Sequence, residues 1–128
     1  MTDSEKTTSM QEPWLPADAT TIIRTMALNR NLGLFLKVHA KGQMSDRGII
    51  MSDVLYILKN GFVYEDPRPA TQNGFFRYAI ESKSPNSESR SIRLIIIPEE
   101  SACNFKLVTV MWVDEQSTKT GTIIEEEL

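Results

Sequence analysis

The stretch "VHAKGQMSDRGIIMSDVLYILKNGFVYED", Val38 to Asp66, decides the fold class because its hydrophobic period changes within it. Up to Asn60 the apolar side chains recur at helical spacing, and Gly48 and Gly61 mark two stops. Glycine suits position 48 because it readily adopts the left-handed conformation that ends many helices, and Asn60-Gly61 stops the second helix. After Gly61 the period becomes two, which is typical of strands. The stretch therefore predicts a pair of helices that lead the chain into a sheet.

Capping residues predict where the helices begin. Ser52 is predicted to cap the second helix of the pair, with Asp53 favourably placed in its first turn. Another helix is predicted earlier, within "PWLPADATTIIRTMALNRN" (13–31), with Asp18 as its N-cap. The apolar run "LGLFLKV" (32–38) that follows fits either a strand or an extension of this helix. Its brevity and its internal glycine favour a strand.

Three later segments alternate between apolar and polar residues, and polar loops separate them: "FFRYAIES" (75–82), "RSIRLIIIP" (90–98) and "FKLVTVMWV" (105–113). This pattern predicts an antiparallel meander with one buried face. The buried face is predicted to carry Phe76, Tyr78, Ile80, Ile92, Leu94, Ile96, Phe105, Leu107, Thr109, Met111 and Val113. The opposite face is predicted to mix Arg77, Arg93 and Lys106 with Val108, Val110 and Trp112.

The order of these elements predicts an α+β domain. Two to three N-terminal helices should pack on one face of a mainly antiparallel sheet of about four strands. Residues 1–16 are predicted to be a disordered tail, 17–113 a single domain, and 114–128 a flexible acidic tail. The net charge is −3 over 128 residues, of which −2 lies in 1–16 and −4 in 114–128. The body therefore carries +3, which is compatible with nucleic-acid contact.

Composition excludes several kinds of site. A chain with one cysteine and one histidine cannot form an intramolecular disulfide or a multi-cysteine zinc site. No apolar run approaches the roughly 18 residues of a membrane span. We therefore expect a cytoplasmic protein with no cofactor, no metal and no membrane partner. Cys103 is predicted to be an inert cysteine in a hairpin loop.

The mixed sheet face is the first candidate for function. Arg77, Arg93 and Lys106 fall on one face of successive strands if the meander pairs in order, and cations there can bind phosphates. Tyr64 or Trp112 could stack on a base. The alternative is a partly solvated face whose charges only maintain solubility. A carboxylate at position 81 on the same face favours this alternative because it can pair with a cation.

His39 is the second candidate, because the pKa of histidine lies near neutrality and suits general acid or base catalysis. The carboxylates nearest in sequence, Asp46 and Asp53, are not at a diagnostic spacing. The alternative is that His39 packs or caps at the start of its helix.

Several motifs together resemble a widespread, poorly characterised bacterial domain family. The matching positions are His39-Ala40, Met44, Arg47-Gly48-Ile49, Asp53-Val54, Asn60-Gly61, Glu65-Asp66, Phe76-Arg77-Tyr78, Arg93-Leu94 and Val108-Thr109-Val110. The resemblance spans about Thr21 to Trp112. Two positions depart from the family pattern, since Gln43 stands where the family has arginine and Gly42 replaces a helix former. If that arginine binds phosphate in the family, this chain lacks the contact.

The family looks like a relative of RelE-type toxin folds, whose sheet faces RNA. The resemblance implies a metal-independent ribonuclease of a toxin–antitoxin system, with RNA as substrate and an antitoxin as protein partner. Its catalytic candidates are His39, Arg77, Tyr78 and Arg93. Its candidates for nucleic-acid binding are Lys41, Arg47, Tyr64, Lys106 and Trp112. The alternative is a non-enzymatic module that binds a protein or nucleic acid through the same face or through Ile123-Ile124.

Overall fold

A computed structural model describes residues 11–115 of the chain. The helices are α1 (Pro16–Ala27), α2 (Val38–Arg47) and α3 (Met51–Asn60), and a short 3-10 turn spans Glu100–Ala102. The strands are β1 (Gly33–Leu36), β2 (Phe62–Val63), β3 (Arg68–Pro69), β4 (Phe76–Lys83), β5 (Ser91–Glu99) and β6 (Asn104–Trp112). The predicted tails and the Ile123-Ile124 pair fall largely or wholly outside the described residues.

The strands form one mixed sheet in the order β1-β6-β5-β4-β2, and β3 also pairs with β4. β4, β5 and β6 form the predicted antiparallel meander, whereas β1 runs parallel to β6. The predicted α+β class is confirmed, and the apolar run 32–38 does contain a strand. The described sheet is larger than predicted, with six strands rather than about four, and it is not purely antiparallel.

The helices cover one face of this sheet. α2 packs on β6, α3 packs on β4 and β5, and α1 packs on α3 and β2. Buried side chains from both layers form the core: Ile23, Met26, Ala40, Met44, Val54, Ile57 and Leu58 from the helices, and Tyr78, Ile80, Ile92, Leu94, Ile96, Phe105, Leu107 and Val110 from the strands. Burying a large aliphatic side chain contributes roughly 1.5–3 kcal/mol, so these contacts hold the two layers together.

A β-bulge in β6 changes the alternation that the sequence predicts. Ile96 pairs with Leu107 but Ile95 pairs with Thr109, so Val108 is an extra residue on β6. Beyond the bulge, Val110 pairs with the buried Leu94. The same shift pairs Trp112 with the buried Ile92 and pairs Met111 with Arg93 on the opposite face. The prediction was therefore wrong for Val110, Met111 and Trp112, because one inserted residue exchanges the two faces, whereas Thr109 is 3% exposed and is buried as predicted.

Gln43 stabilises the strand just beyond the bulge. Its side chain, which is 5% exposed, accepts a hydrogen bond at Oε1 from the backbone N–H of Val110 at 2.8 Å. A buried N–H without a partner costs about 1–3 kcal/mol, so this contact removes a substantial penalty. Gln43 is therefore a structural residue of the α2–β6 interface.

The predicted helix stops are correct, but the predicted N-caps are not. Gly48 ends α2 in the left-handed conformation, at φ +68°. α1 begins at Pro16, whose fixed φ suits the first helical position, so Asp18 lies inside the first turn. Ser52 likewise lies inside α3, because the Asp53 side chain accepts the backbone N–H of Ile50 at 3.0 Å.

The two ends of α3 are both fixed by tertiary contacts. Asp53 is buried and accepts a second hydrogen bond from the Ser84 hydroxyl at 2.7 Å, which ties the start of α3 to the β4–β5 loop. At the other end, a Cβ on Gly61 would lie 2.7 Å from the Ile57 carbonyl oxygen. Arg24 donates to the carbonyl oxygen of Gly61 at 2.9 Å, so α1 also holds this end.

We predict that Gln43→Met lowers the free energy of unfolding by about 1–3 kcal/mol, because it preserves side-chain volume and leaves the Val110 N–H without an acceptor. Urea denaturation followed by circular dichroism measures the change. Lys41→Met is the matched control, since Lys41 is exposed on the same helix. Equal stability of the two variants would contradict a structural role for the Gln43 contact.

Candidate nucleic-acid interface

The sheet face that the helices leave uncovered is the candidate interface, and we call it the open face. Its described members on β4–β6 are half-buried and include both charged and aliphatic side chains. They include Arg77, Ala79, Glu81, Arg93, Ile95, Ile97, Lys106, Val108 and Met111. A face of this composition is neither a closed core nor a fully solvated surface, because aliphatic groups lie between the cations.

Three predicted cations do share this face. Arg77 alternates with the buried Tyr78 on β4, Arg93 pairs with Met111, and Lys106 pairs with Ile97. Arg93 donates from Nε to Glu81 at 2.9 Å, so part of its charge is neutralised by its neighbour. The cation–carboxylate pairing that the solubility interpretation anticipates is therefore present for Arg93.

Arg77 differs from Arg93 in having no such neighbour. Its Nε is shielded from solvent, and among residues 11–115 its guanidinium has no hydrogen bond or ion pair. The residue directly across the β3–β4 ladder is Arg68, a second cation. The charge of Arg77 is thus not neutralised by any side chain among residues 11–115.

Tyr78, a predicted catalytic residue, lies on the opposite face and is fully buried. Its ring stacks on Trp14 with centroids 5.1 Å apart, and its hydroxyl oxygen accepts the Trp14 backbone N–H at 3.0 Å. Burial raises the pKa of the Tyr78 hydroxyl well above its ordinary value, and the nearby Glu12 carboxylate adds to the effect. Strand alternation from Arg77 therefore makes Tyr78 a core residue that cannot reach a ligand on the open face.

His39 and Lys41 are both exposed on α2. His39 lies in the first helical turn, directly after β1 at one edge of the sheet, whereas Arg77 is on β4. Three strand spacings separate β1 from β4, roughly 14 Å. The structure therefore does not bring His39 together with the arginines of the open face.

Arg47 and Trp112 are engaged in structural contacts. Arg47 donates to Glu115 from Nε at 2.8 Å, and Nη2 contacts the second carboxylate oxygen. Trp112 Nε1 donates to the Arg47 carbonyl oxygen at 3.3 Å, and the Arg90 guanidinium lies 3.9 Å from its ring centroid. The bulge in β6 turns Trp112 toward α2, so it is not positioned to stack a base on the open face.

Aromatic side chains lie at the two edges of the sheet. Tyr64 is 65% exposed and stacks on Phe62, with centroids 6.1 Å apart. At the other edge, Phe35 is 57% exposed and pairs with Lys106. Phe35, Phe62 and Arg68 were not singled out from the sequence. For Arg68 the available signal was its position between two prolines, which holds the chain extended.

Neither a metal-ligand cluster nor a membrane-spanning helix occurs in the described part of the chain. Within it, no three histidine, cysteine or acidic side chains come together as a metal site. No helix there is long and apolar enough to cross a bilayer. The Cys103 thiol lies 3.9 Å from the Met26 carbonyl oxygen, beneath the end of α1.

We predict that Arg47→Gln destabilises the fold by about 1 kcal/mol at pH 7. The hydrogen bond from Arg47 holds the pKa of Glu115 below its ordinary value of 4.5. When folding lowers the pKa of a carboxyl group, the resulting stabilisation is fully present above the pKa of the unfolded state. It is lost as pH falls through the pKa of the folded state.

The difference between wild type and Arg47→Gln should therefore shrink between pH 5 and pH 3, which urea denaturation followed by tryptophan fluorescence would measure. Lys41→Gln, an exposed change on the same helix, is the control. A difference that stays constant over this pH range would show that the Glu115 pair is not the source of the effect.

Comparison with known proteins places this architecture in a family. Residues 36–112 match the model of a domain of unknown function, DUF4258, and this span exceeds half of the chain. The match runs from the end of β1 through the end of β6 and contains the whole meander. No curated protein matches the chain. No solved structure matches it either. The expected membership of a poorly characterised domain family is confirmed, and the chain belongs to the DUF4258 family.

Proposed function

We propose that this domain binds single-stranded RNA through the open face, in the manner implied by its resemblance to RelE-type folds. The observation that supports the proposal is the convergence of Arg77, Arg93 and Lys106, from three successive strands, on the sheet face that the described helices leave uncovered. Phosphate contacts by lysine and arginine supply most of the sequence-independent affinity for nucleic acids.

The spacing of these cations suits an extended strand of RNA. The register that pairs Tyr78 with Ile96 places Arg77 level with Ile97, which in turn pairs with Lys106. Two strand spacings separate Arg77 from Lys106, about 10 Å at the backbone. One RNA strand crossing the sheet would therefore meet the two cations at different phosphates. Exposed aromatic rings at the sheet edges, such as Tyr64, offer stacking platforms for bases.

The charge of the open face favours an anionic ligand. Its strands carry the cations Arg68, Arg77, Lys83, Arg93 and Lys106 against the carboxylates Glu81 and Glu99. The net charge of +3 lies on one side of a domain whose described residues are neutral as a whole. A cationic face on a neutral body orients an approaching polyanion toward the sheet.

Binding is better supported than cleavage. Cleavage through the ribose 2′-hydroxyl needs a positioned proton acceptor and donor beside the phosphate. Among the described residues, the open face has no histidine. The catalytic candidate Tyr78 lies in the core instead, and Glu81 is paired with Arg93. The ribonuclease activity that the resemblance implies is therefore a second proposal, tested by looking for products in the binding experiment.

A protein partner is the remaining candidate, and the aliphatic residues of the open face favour it. Ile95, Ile97, Val108 and Met111 lie between the cations and are only half-buried. An acidic amphipathic segment, such as an antitoxin would supply, could cover them while pairing with the arginines. Binding of this kind would depend far less on salt concentration than binding to RNA does.

We predict that the chain binds a mixed-sequence single-stranded RNA 12-mer, and that Arg77→Ala or Lys106→Ala weakens this binding about tenfold each. A charge-assisted hydrogen bond contributes roughly 1.5 kcal/mol, which corresponds to that factor. Each substitution should also reduce the slope of log K against log salt by about 0.7. Fluorescence anisotropy at several salt concentrations measures both quantities.

Lys59→Ala is the matched control, because Lys59 is an exposed cation on α3 in the helical layer. Its affinity and salt slope should equal those of the wild type. If folded wild-type protein does not bind, or if all three variants weaken binding equally, the open face is not an RNA interface. Gel analysis of the same mixtures reveals cleavage products if the domain is a nuclease.

A further inference from the structure

We infer that Arg68 and Arg77 form a binding site for a terminal phosphate group at the β3–β4 edge of the open face. Where the phosphate belongs to an RNA end, the inference rests on the proposed function. The anion site itself rests only on the arrangement of the two arginines. Arg68 adds a cation to those that the sequence indicated. The β3–β4 edge of the open face would therefore prefer a terminal phosphate.

The register brings the two arginines together. Arg68 pairs directly with Arg77, and the next pair is Pro69 with Phe76. Directly opposite residues of an antiparallel pair have Cβ atoms about 5 Å apart and point to the same face. Like charges in this arrangement destabilise the pair. An anion between the two guanidinium groups would convert this repulsion into two attractive contacts.

Neither arginine has another partner in the described structure. Among residues 11–115, no hydrogen bond or ion pair is made by the guanidinium of Arg68 or of Arg77, although Glu65 and Asp66 precede Arg68 closely in sequence. The Nε of Arg77 is also shielded from water. A desolvated charged donor without an acceptor is costly, and a phosphate oxygen is a suitable acceptor.

The local chain holds Arg68 in place for such a contact. Pro67 and Pro69 flank it, and a residue before proline is restricted to extended conformations. The hairpin is closed next to this site by the hydrogen bond from the Ala70 N–H to the Phe75 carbonyl oxygen, at 2.8 Å. Arg68 is exposed, whereas Arg77 is half-buried. The site therefore has one half-buried inner arginine and one outer arginine that is reachable from solvent.

Charge favours a terminal phosphate over an internal one. A phosphomonoester carries about −1.5 to −2 charges at pH 7 and presents three acceptor oxygens. An internal phosphodiester carries one negative charge, so it cannot neutralise two guanidinium groups. Planar guanidinium groups can each bind a phosphate through two parallel hydrogen bonds. The pair is thus matched to a dianion, supplied either by inorganic phosphate or by the phosphorylated end of an RNA.

The experiment compares 5′-phosphorylated and 5′-hydroxyl forms of one RNA 12-mer, with inorganic phosphate as a separate ligand. We expect the 5′-phosphate to improve wild-type affinity about tenfold, and Arg68→Ala to remove this preference. Titration of inorganic phosphate should shift the NMR signal of the Arg77 Nε–H in the wild type, but not in Arg68→Ala. Arg68→Lys should keep part of the preference, and Lys59→Ala should keep all of it.

The outcomes separate this inference from the proposed function. If RNA binds equally well with and without the 5′-phosphate, and inorganic phosphate does not shift the Arg77 NMR signal, the terminal-phosphate site is overturned. The proposed RNA binding then still stands. An Arg68-dependent Arg77 shift without RNA binding supports the site and refutes the proposed function. A shift with RNA binding but no 5′-phosphate preference supports free phosphate as the ligand and overturns the RNA-end form. Thermal melting verifies folding, and Arg68→Ala should not lower the melting temperature, since its exposed side chain has no described partner.

Discussion

The hydrogen bond from the Val110 N–H to Gln43 determines which side of β6 meets the helices. It lies just beyond the Val108 bulge and gives the displaced backbone a buried acceptor on α2. The bulge turns Val110 and Trp112 toward the helices and leaves Met111 beside Arg93 on the open face. A regular β6 would instead place Trp112 among the cations. The composition of the candidate interface therefore depends on one inserted residue and the glutamine that stabilises it.

A single helical layer imposes the second constraint, because it can bury only one face of the sheet. The open face must then remain compatible with water while carrying aliphatic residues such as Ile95 and Ile97. Arg93 and Glu81 achieve this by pairing with each other at 2.9 Å. Arg68 and Arg77 are not neutralised in this way, since they pair directly with each other across the β3–β4 ladder. Uncompensated positive charge thus concentrates at the β3–β4 edge, which is the physical reason to look for an anion there.

Predictions from the sequence were correct for structural features that local patterns determine. They were wrong for features that depend on tertiary contacts between distant residues. Alternation in β4 and β5 correctly placed Tyr78, Ile92 and Leu94 on the core face, and the stop at Gly48 was correct. β6 was mispredicted from Val110 to Trp112, because the acceptor that accommodates its bulge lies 67 positions away on α2. Ser52 was a reasonable cap by residue type, but the Asp53 carboxylate reaches the Ile50 N–H from within the first turn.

For the candidate site residues too, the sequence predicted what strand alternation determines but not what tertiary contacts determine. Alternation placed Arg77 and Lys106 on a common face, yet it could not show that Arg77 lacks a partner while Arg93 has one. Grouping Tyr78 with Arg77 as catalytic candidates conflicted with strand geometry, because adjacent residues of a strand point to opposite faces. Every cation of the proposed interface, including Arg68, lies within residues 36–112 that define the DUF4258 match. The core beneath them also needs Trp14 and α1, which lie outside that span. The proposed binding face of this chain therefore lies within the span of the family match, whereas part of its structural support comes from the segment that precedes it.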